Sequence, residues 1–159
     1  MEFRIGQGFD VHRIAKGETL WLGGILIPHY KGTVAHSDGD VLIHAICDAL
    51  LGSLKLNDIG THFPDTSSEY KNIDSKILLK KTCDLVHDKS YEIVNIDSTV
   101  IAQHPKLKPY IPEMEKTLAG VLGISEDKIS IKATTTEKLG FEGREEGISA
   151  MAAVLVKKV

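Results

Sequence analysis

The chain has 159 residues, about the length of one domain, so we expect a single domain over 1–159 with one core. Its 19 Lys and Arg against 22 Asp and Glu give a net charge of −3, and basic residues do not cluster, which argues against nucleic-acid binding. No apolar stretch reaches the ~20 residues that span a bilayer, and no signal-peptide pattern opens the sequence. We therefore expect a cytoplasmic protein with no membrane role, in which Cys47 and Cys83 are reduced core residues.

Hydrophobic patterning predicts a mixture of strands and helices. Alternating or continuous apolar residues predict strands over 3–11, 21–27, 92–102, 128–135 and 148–156. Apolar residues three and four apart predict helices over 40–54, 73–86 and 111–122. Loops are expected at 31–39, 57–68 and 140–147. The expected fold is α/β (α+β two-layer), a mixed β-sheet with about three helices on one face.

Three residues form a candidate metal centre. Asp10 and His12 lie two apart at the end of a predicted strand, so both side chains point to the same face. His44 is an imidazole on the predicted helix 40–54, whose other residues are almost all apolar. It is either a core histidine held by Asp40 and Asp48, one turn away on each side, or it joins Asp10 and His12. Two imidazoles and one carboxylate with an open fourth position are typical of catalytic zinc.

Two other segments carry polar side chains that fit phosphate chemistry. The run from His36 to Asp40 is either a helix N-terminal cap or a place where free N–H groups bind an anion. The run from Ala133 to Glu137 is either a β-branched strand with a charged turn, or hydroxyls for phosphate oxygens beside a carboxylate for a hard divalent cation. The residues alone leave both alternatives open.

Four motifs together resemble the 2-C-methyl-D-erythritol 2,4-cyclodiphosphate synthase family of the non-mevalonate isoprenoid pathway. They run in the same order as in that family, so the resemblance covers residues 4–157: Gly8–His12, Ala35–Asp40, Asp58–Gly60 with Phe63–Asp65, and Lys132–Phe141. Gln7, where the family more often has histidine, and the acidic Glu142, Glu145 and Glu146 depart from the pattern. These departures lie away from the implied metal ligands.

The resemblance implies a role for each matching residue. The zinc ligands are Asp10, His12 and His44, Glu137 holds a second ion, Mg²⁺ or Mn²⁺, and His36 and Thr135 stabilise the transition state. Substrate contacts are implied for Ser37, Asp58, Ile59, Gly60, Phe63, Pro64, Asp65, Thr66, Ser67, Thr134, Thr136, Phe141 and Arg144. Cytidine contacts are implied for Ala102, Gln103, His104, Pro105, Lys106, Leu107, Lys108 and Ala133. The family also implies a homotrimer with sheets packed around a three-fold axis and active sites between subunits.

The implied reaction is an intramolecular phosphoryl transfer. The 2-phosphate of 4-diphosphocytidyl-2-C-methyl-D-erythritol 2-phosphate attacks the β-phosphorus, giving the cyclic diphosphate and CMP. Two alternatives remain at this point. A zinc hydrolase would use the same three ligands, with His36 or Asp40 as general base for a metal-bound water. A zinc-free nucleotide-binding module would use the threonine strand and Lys106 without catalysis.

Overall fold

The computed structural model describes residues 2–159, and its elements follow from the apolar patterning of the sequence. The strands are β1 (Phe3–Lys16), β2 (Leu20–Leu22), β3 (Ile25–Ile27), β4 (Lys31–Val34), β5 (Tyr91–Ile101), β6 (Ile129–Thr134) and β7 (Gly147–Lys158). The helices are α1 (Val41–Ser53), α2 (Ile59–His62), α3 (Ser75–Asp88), α4 (Ile111–Leu122) and α5 (Gly140–Gly143). Single 3₁₀ turns lie at Ser68–Tyr70, Lys108–Tyr110 and Glu126–Lys128. The three long helices and the mixed α/β class match the expectation from sequence.

Five strands form one mixed sheet in the order β4-β1-β7-β5-β6. The pairings are antiparallel except that of β5 with β6, which is parallel and is connected through α4. The crossover through a helix is what a parallel pair requires. Strands β2 and β3 form a separate hairpin. No helix within residues 2–159 is long and apolar enough to cross a membrane.

Helix α1 packs against β1 and β7 at unusually short distance because β1 carries glycines there. A Cβ atom at Gly6 would lie 1.9 Å from the carbonyl oxygen of Ala49, and one at Gly8 would lie 1.9 Å from that of Ala45. Gly6, Gly8, Asp10 and His12 share one face of the strand, because side chains alternate along it. The close approach therefore brings α1 down onto the face that carries Asp10 and His12.

The structure corrects several predicted boundaries. The predicted strand 21–27 is two strands, because Gly23 and Gly24 have φ of 61° and 79° and form a tight turn typical of hairpins. The predicted loop 31–39 begins with β4, which pairs with the second half of β1. The predicted loops 57–68 and 140–147 each contain a one-turn helix, α2 and α5. Helices this short lack the several turns needed for a hydrophobic period to be visible in sequence.

The sheet has one face covered by helices and a second face with exposed apolar side chains. Ile5 is 80%, Phe9 52% and Met151 44% exposed, and Phe9 pairs with Met151 across β1 and β7. Ordinary monomers seldom expose a contiguous apolar patch of this kind. On this second face of β7, Met151 and Ala153 are exposed within a single chain, whereas Ser149 is buried.

Candidate metal centre and substrate cavity

Asp10 and His12 lie within β1, which continues past the predicted end at residue 11 to Lys16, and they meet His44 of α1. His12 Nε2 lies 2.9 Å from His44 Nδ1, and each of these nitrogens lies 3.1 Å from Asp10 Oδ2. Neighbouring ligand atoms of a tetrahedral zinc with ~2.0–2.1 Å bonds are separated by about 3.3 Å, so these distances are close to that arrangement. The three ligand atoms, two imidazole nitrogens and one carboxylate oxygen, fit a metal ion with its fourth position open.

Burial and charge act in opposite directions on these groups. Burial raises the pKa of Asp10, but hydrogen bonds with His12 and His44 outweigh it and hold that pKa well below its ordinary value. For His44, burial lowers the pKa, and the hydrogen bond and charge of Asp10 more than reverse this. In the metal-free cluster the carboxylate is thus ionised and stabilises a proton on His44, and a metal ion would take the place of that proton. An ionised carboxylate is the form that binds a cation.

Asp40, the first of the two carboxylates flanking His44, supports the helix instead of the imidazole. Asp40 is fully buried, caps α1 by accepting from Ile43 N at 3.0 Å, and accepts from Gly23 N and Gly24 N at 3.0 and 2.7 Å. Its burial raises its pKa, and the hydrogen bonds from Ile43 and Gly24 oppose that rise. Asp40 therefore joins the β2–β3 hairpin to the start of α1. It makes no side-chain hydrogen bond with His44 in the described residues.

Asp48, the second carboxylate, positions a segment that the family resemblance assigns to substrate. Its Oδ1 accepts from Ile59 N at 2.7 Å, and burial raises its pKa. Asp58 caps α2 by accepting from Thr61 N and Thr61 Oγ1, both at 2.8 Å. Helix α1 thus carries His44 to the metal cluster and, one turn later, fixes the backbone at Ile59.

The metal cluster opens into a cavity of about 300 Å³. Nine of the sequence-predicted residues line it: Asp10, His12, His36, Ser37, His44, Ile59, Gly60, Phe63 and Asp65. Asp58, Pro64, Thr66 and Ser67 belong to the same segment but do not line it, although the Ser67 carbonyl accepts from His36 Nε2 at 3.0 Å. Ala35, Tyr70, Ile73 and Leu78 also line the cavity, although the resemblance implied no substrate contact for any of them.

The predicted cytidine segment forms a second cavity of about 300 Å³. It is lined by Ala102, Gln103, Pro105, Lys106, Leu107, Lys108, Ala133, Thr134 and Thr135. His104 belongs to this segment without lining the cavity, and its peptide bond to Pro105 is cis. Strand pairing on β5 and β6 brings the two segments together, because Ile101 is paired with Thr134.

The two cavities are separate within one chain. Val11 beside His12 pairs with Ser149, Ser149 pairs with Ile101, and Ile101 pairs with Thr134. Three strand spacings of ~4.8 Å place Thr134 about 14 Å from Val11 along the sheet. A single phosphate group cannot contact side chains at both positions.

Glu137 lies on a turn with unusual backbone geometry. Glu137 and Lys138 both have left-handed conformations, with φ of 55° and 66°, which costs ~1 kcal/mol or more per residue without glycine. The turn is supported by hydrogen bonds from Glu137 N to Thr135 Oγ1 and from Lys138 N to Gln103 Oε1. Thr136 Oγ1 donates to the Leu139 carbonyl at 2.5 Å. The Glu137 carboxylate makes no hydrogen bond or ion pair within residues 2–159.

Phe141 and Arg144 lie away from both cavities. Phe141 lines a smaller depression with Val11 and Arg13, and its ring packs beside Gly147. Arg144 Nε donates to Glu146 Oε1 at 2.9 Å, and Ser149 Oγ donates to Glu142 Oε1 at 2.7 Å. The structure of one chain therefore does not bring Phe141 and Arg144 to the predicted substrate. Two of the acidic residues in this segment, Glu142 and Glu146, therefore have hydrogen-bond partners within the chain.

Sequence reasoning also missed a buried serine beside the metal cluster. Ser75, the first residue of α3, is fully buried and its Oγ lies 2.9 Å from His44 Nε2. No periodicity signals it, because it is 31 residues from His44 in the chain.

The fold and the cluster define a class of protein: a mixed α/β domain with a candidate metal site of two histidines and one aspartate lining a cavity. The sequence model of the YgbB family matches residues 3–157. The chain is 64% identical to the 2-C-methyl-D-erythritol 2,4-cyclodiphosphate synthase of Bacteroides fragilis over the full length of both chains. It is 59% identical to the synthase of Porphyromonas gingivalis over 97% of this chain and 95% of that relative.

Solved structures agree with these sequence matches. A CDP complex of IspF from Plasmodium falciparum superposes with a TM-score of 0.86 at 40% identity, over 98% of this chain and 96% of that one. The bifunctional IspDF of Campylobacter jejuni has a TM-score of 0.96 at 46% identity; it covers 99% of this chain, which spans 43% of that longer protein. The chain belongs to the YgbB family, that of the 2-C-methyl-D-erythritol 2,4-cyclodiphosphate synthases, and is an enzyme of isoprenoid synthesis. The resemblance found in the sequence is confirmed.

Proposed function

We propose that this single domain over 1–159 converts 4-diphosphocytidyl-2-C-methyl-D-erythritol 2-phosphate to the 2,4-cyclodiphosphate and CMP. The observation that carries the proposal is the cluster of Asp10, His12 and His44, which lines a cavity in a chain of this family. The 2-phosphate is mostly a dianion at neutral pH, since its second pKa is ~6, so it needs no general base to act as nucleophile. The chain must instead fold a multiply charged substrate on itself.

Asp10, His12 and His44 would hold a zinc ion. When bound, such an ion supplies positive charge that polarises a phosphoryl oxygen. The residues on the chain then orient the substrate: His36 and Ser37 lie in the loop before α1, with Ser37 beside His44, and Ile59 and Gly60 line the same cavity. Holding both reacting groups in line contributes much of the rate, since aligned intramolecular reactions reach effective molarities of ~10⁵–10⁸ M.

Glu137 would hold the second divalent ion, Mg²⁺ or Mn²⁺. Its support is a carboxylate without a partner in the described chain, on a turn whose left-handed residues fix its direction. Thr135 Oγ1 accepts from Glu137 N at 3.3 Å, and Thr134 and Thr135 both line the cavity that the family resemblance assigns to cytidine. His36 and Thr135 would stabilise the transition state from the two sides of the transferred phosphoryl group.

The active assembly is proposed to be a homotrimer with its sites between subunits. Two observations support this. The exposed apolar face of β1 and β7 requires a cover, and in one chain Thr134 of the cytidine cavity lies about 14 Å along the sheet from Val11, the neighbour of His12. A neighbouring copy could cover the apolar face and bring its own cytidine cavity beside the metal cluster. A cytoplasmic location completes the proposal, and cell fractionation tests it.

The direct test is CMP release from the cytidyl substrate with and without chelator, together with analysis of the product. We expect metal-dependent CMP release in step with formation of the cyclic diphosphate. A linear hydrolysis product would select a zinc hydrolase instead. A purified protein that binds CMP but holds no zinc would select the nucleotide-binding module.

Complementation tests the shared site. His12→Ala removes a metal ligand, and a Lys106→Ala, Thr135→Ala double variant removes the cytidine side. In randomly co-refolded equimolar trimers, each interface has about a one-half chance of each intact half, so about one quarter of sites should recover activity. No activity in confirmed mixed trimers would place the whole site within one chain.

A further inference from the structure

The side of His44 that faces away from the metal cluster is held by two residues from other segments. His44 Nε2 lies 2.9 Å from Ser75 Oγ, at the start of α3. Ser75 Oγ in turn lies 2.5 Å from Asp38 Oδ1, and Ser75 N donates to Asp38 Oδ2 at 2.9 Å. Asp38 Oδ1 also accepts from Asp40 N at 3.1 Å, so the carboxylate is fixed in place. Ser37 Oγ is farther from the ring, at 3.4 Å.

Proton counting fixes the direction of these hydrogen bonds. A serine hydroxyl has one proton, and an ionised carboxylate has none to give. The short contact between Ser75 and Asp38 therefore uses the serine proton, which leaves only the lone pairs of Ser75 Oγ to face His44. The Nε2 of His44 must then carry a proton and donate it to Ser75. In a neutral imidazole this leaves the lone pair on Nδ1, the atom that lies among Asp10 and His12.

We propose that Asp38 and Ser75 are positioning residues that select the metal-binding tautomer of His44 and orient its ring. The proposal rests on the metal centre proposed above. The chain from Asp38 through Ser75 to His44 does for this ligand what a carboxylate or carbonyl commonly does for a metal-bound histidine. It also ties three segments together, since Asp38 precedes α1, His44 lies within it and Ser75 begins α3.

Zinc affinity, measured by competition with a chelator, gives the first test. Ser75→Ala removes the acceptor for Nε2–H, and we expect a loss of affinity of ~10–100-fold, as found for residues that orient metal ligands. Ser53→Ala is the matched control, because it removes another buried serine hydroxyl, bonded to the Leu50 carbonyl within α1, and leaves His44 untouched. It should bind zinc like the parent. Equal affinities for Ser75→Ala and Ser53→Ala would overturn the proposal.

A double-mutant cycle shows whether Asp38 acts through Ser75. Asp38→Asn replaces one carboxylate oxygen by a donor, so it should weaken zinc binding in the parent and cause little further loss in the Ser75→Ala background. If the double variant instead lost zinc affinity by the product of the two single losses, Asp38 would not act through Ser75. If the unmodified protein binds no zinc, the proposed metal centre is wrong. This outcome differs from one in which zinc binds but Asp38 and Ser75 do not affect its affinity.

Nuclear magnetic resonance of the unmodified, zinc-loaded protein gives a readout that does not depend on any variant folding. With ¹⁵N-labelled histidine, His44 should show a proton on Nε2 that exchanges slowly with water and a metal-bound Nδ1. In Ser75→Ala the Nε2 proton should exchange faster. Coordination through Nε2, or rapid exchange of its proton in the parent, would contradict the proposal.

Discussion

Replacement of Gly8 by alanine tests how strictly the fold places the metal cluster. The added Cβ would lie 1.9 Å from the Ala45 carbonyl oxygen and 2.8 Å from Ala49 N. Ordinary contacts between carbon and oxygen begin near ~3.3 Å, so α1 and β1 would have to separate by about 1.4 Å. Overpacking that forces side chains and backbone to shift costs ~1–3 kcal/mol, occasionally more. At ~2–4 °C per kcal/mol, we expect Tm to fall by about 2–12 °C.

The same displacement should weaken metal binding, because His44 precedes Ala45 on the helix and Asp10 follows Gly8 on the strand by two residues. Thermal unfolding with chelator measures the first effect, and zinc competition measures the second. Gly120→Ala is the control: Gly120 is exposed in α4 with open space around it, so alanine should stabilise the protein by ~0.5–1 kcal/mol. If Gly8→Ala were as stable as the parent and bound zinc equally, the close approach would not determine the cluster.

Three further predictions concern single side chains. His44→Ala should lose most bound zinc while remaining folded, since apolar residues hold α1, and full zinc retention measured by metal analysis would exclude the three-ligand site. Glu137→Gln should leave zinc content unchanged but lower turnover and raise the Mg²⁺ or Mn²⁺ concentration at which activity is highest; an unchanged titration curve would exclude Glu137 as a ligand. Burial raises the pKa of Asp48 in the folded state, so its ionised form destabilises the fold as pH rises above its unfolded pKa of ~3.9. With chelator present, the Tm of Asp48→Asn relative to the parent should therefore rise between pH 4 and pH 7, and a difference independent of pH would contradict this.

The metal cluster could be predicted from the sequence because the periodicities of a strand and a helix show where its three side chains point. Period two places Asp10 with His12 on one face of β1, and an imidazole on an otherwise apolar helix requires a polar partner. Which partner His44 meets could not be decided from the chain, since Asp40 and Asp48 were equally available one turn away. The structure decides it, because the Asp40 carboxylate accepts hydrogen bonds from the backbone of Gly23, Gly24 and Ile43. The Asp48 carboxylate accepts one from the backbone of Ile59.

Contacts between segments that are distant in the chain could not be predicted from sequence periodicity. The pairing of β4 with β1 uses a four-residue strand of Lys, Gly, Thr and Val, which has too few residues for an alternating pattern. Ser75 meets Asp38 across 37 residues, and only the packing of α3 beside α1 brings them together. The role of Gly8 was equally hidden, because a glycine in a strand is compatible with a bulge, a bend or a close approach.

The charges around the cavity connect metal binding to substrate binding. Asp10 and Asp65 line it, Asp48 lies half-buried close by, and within the described residues no lysine or arginine lines it. A substrate with several phosphate charges would be repelled by these carboxylates in the metal-free protein. The cluster of Asp10, His12 and His44 therefore supplies the place where positive charge can be held in the cavity. If the cluster holds zinc, as proposed, linkage is reciprocal: whatever factor zinc adds to the affinity for the substrate, the substrate must add to the affinity for zinc.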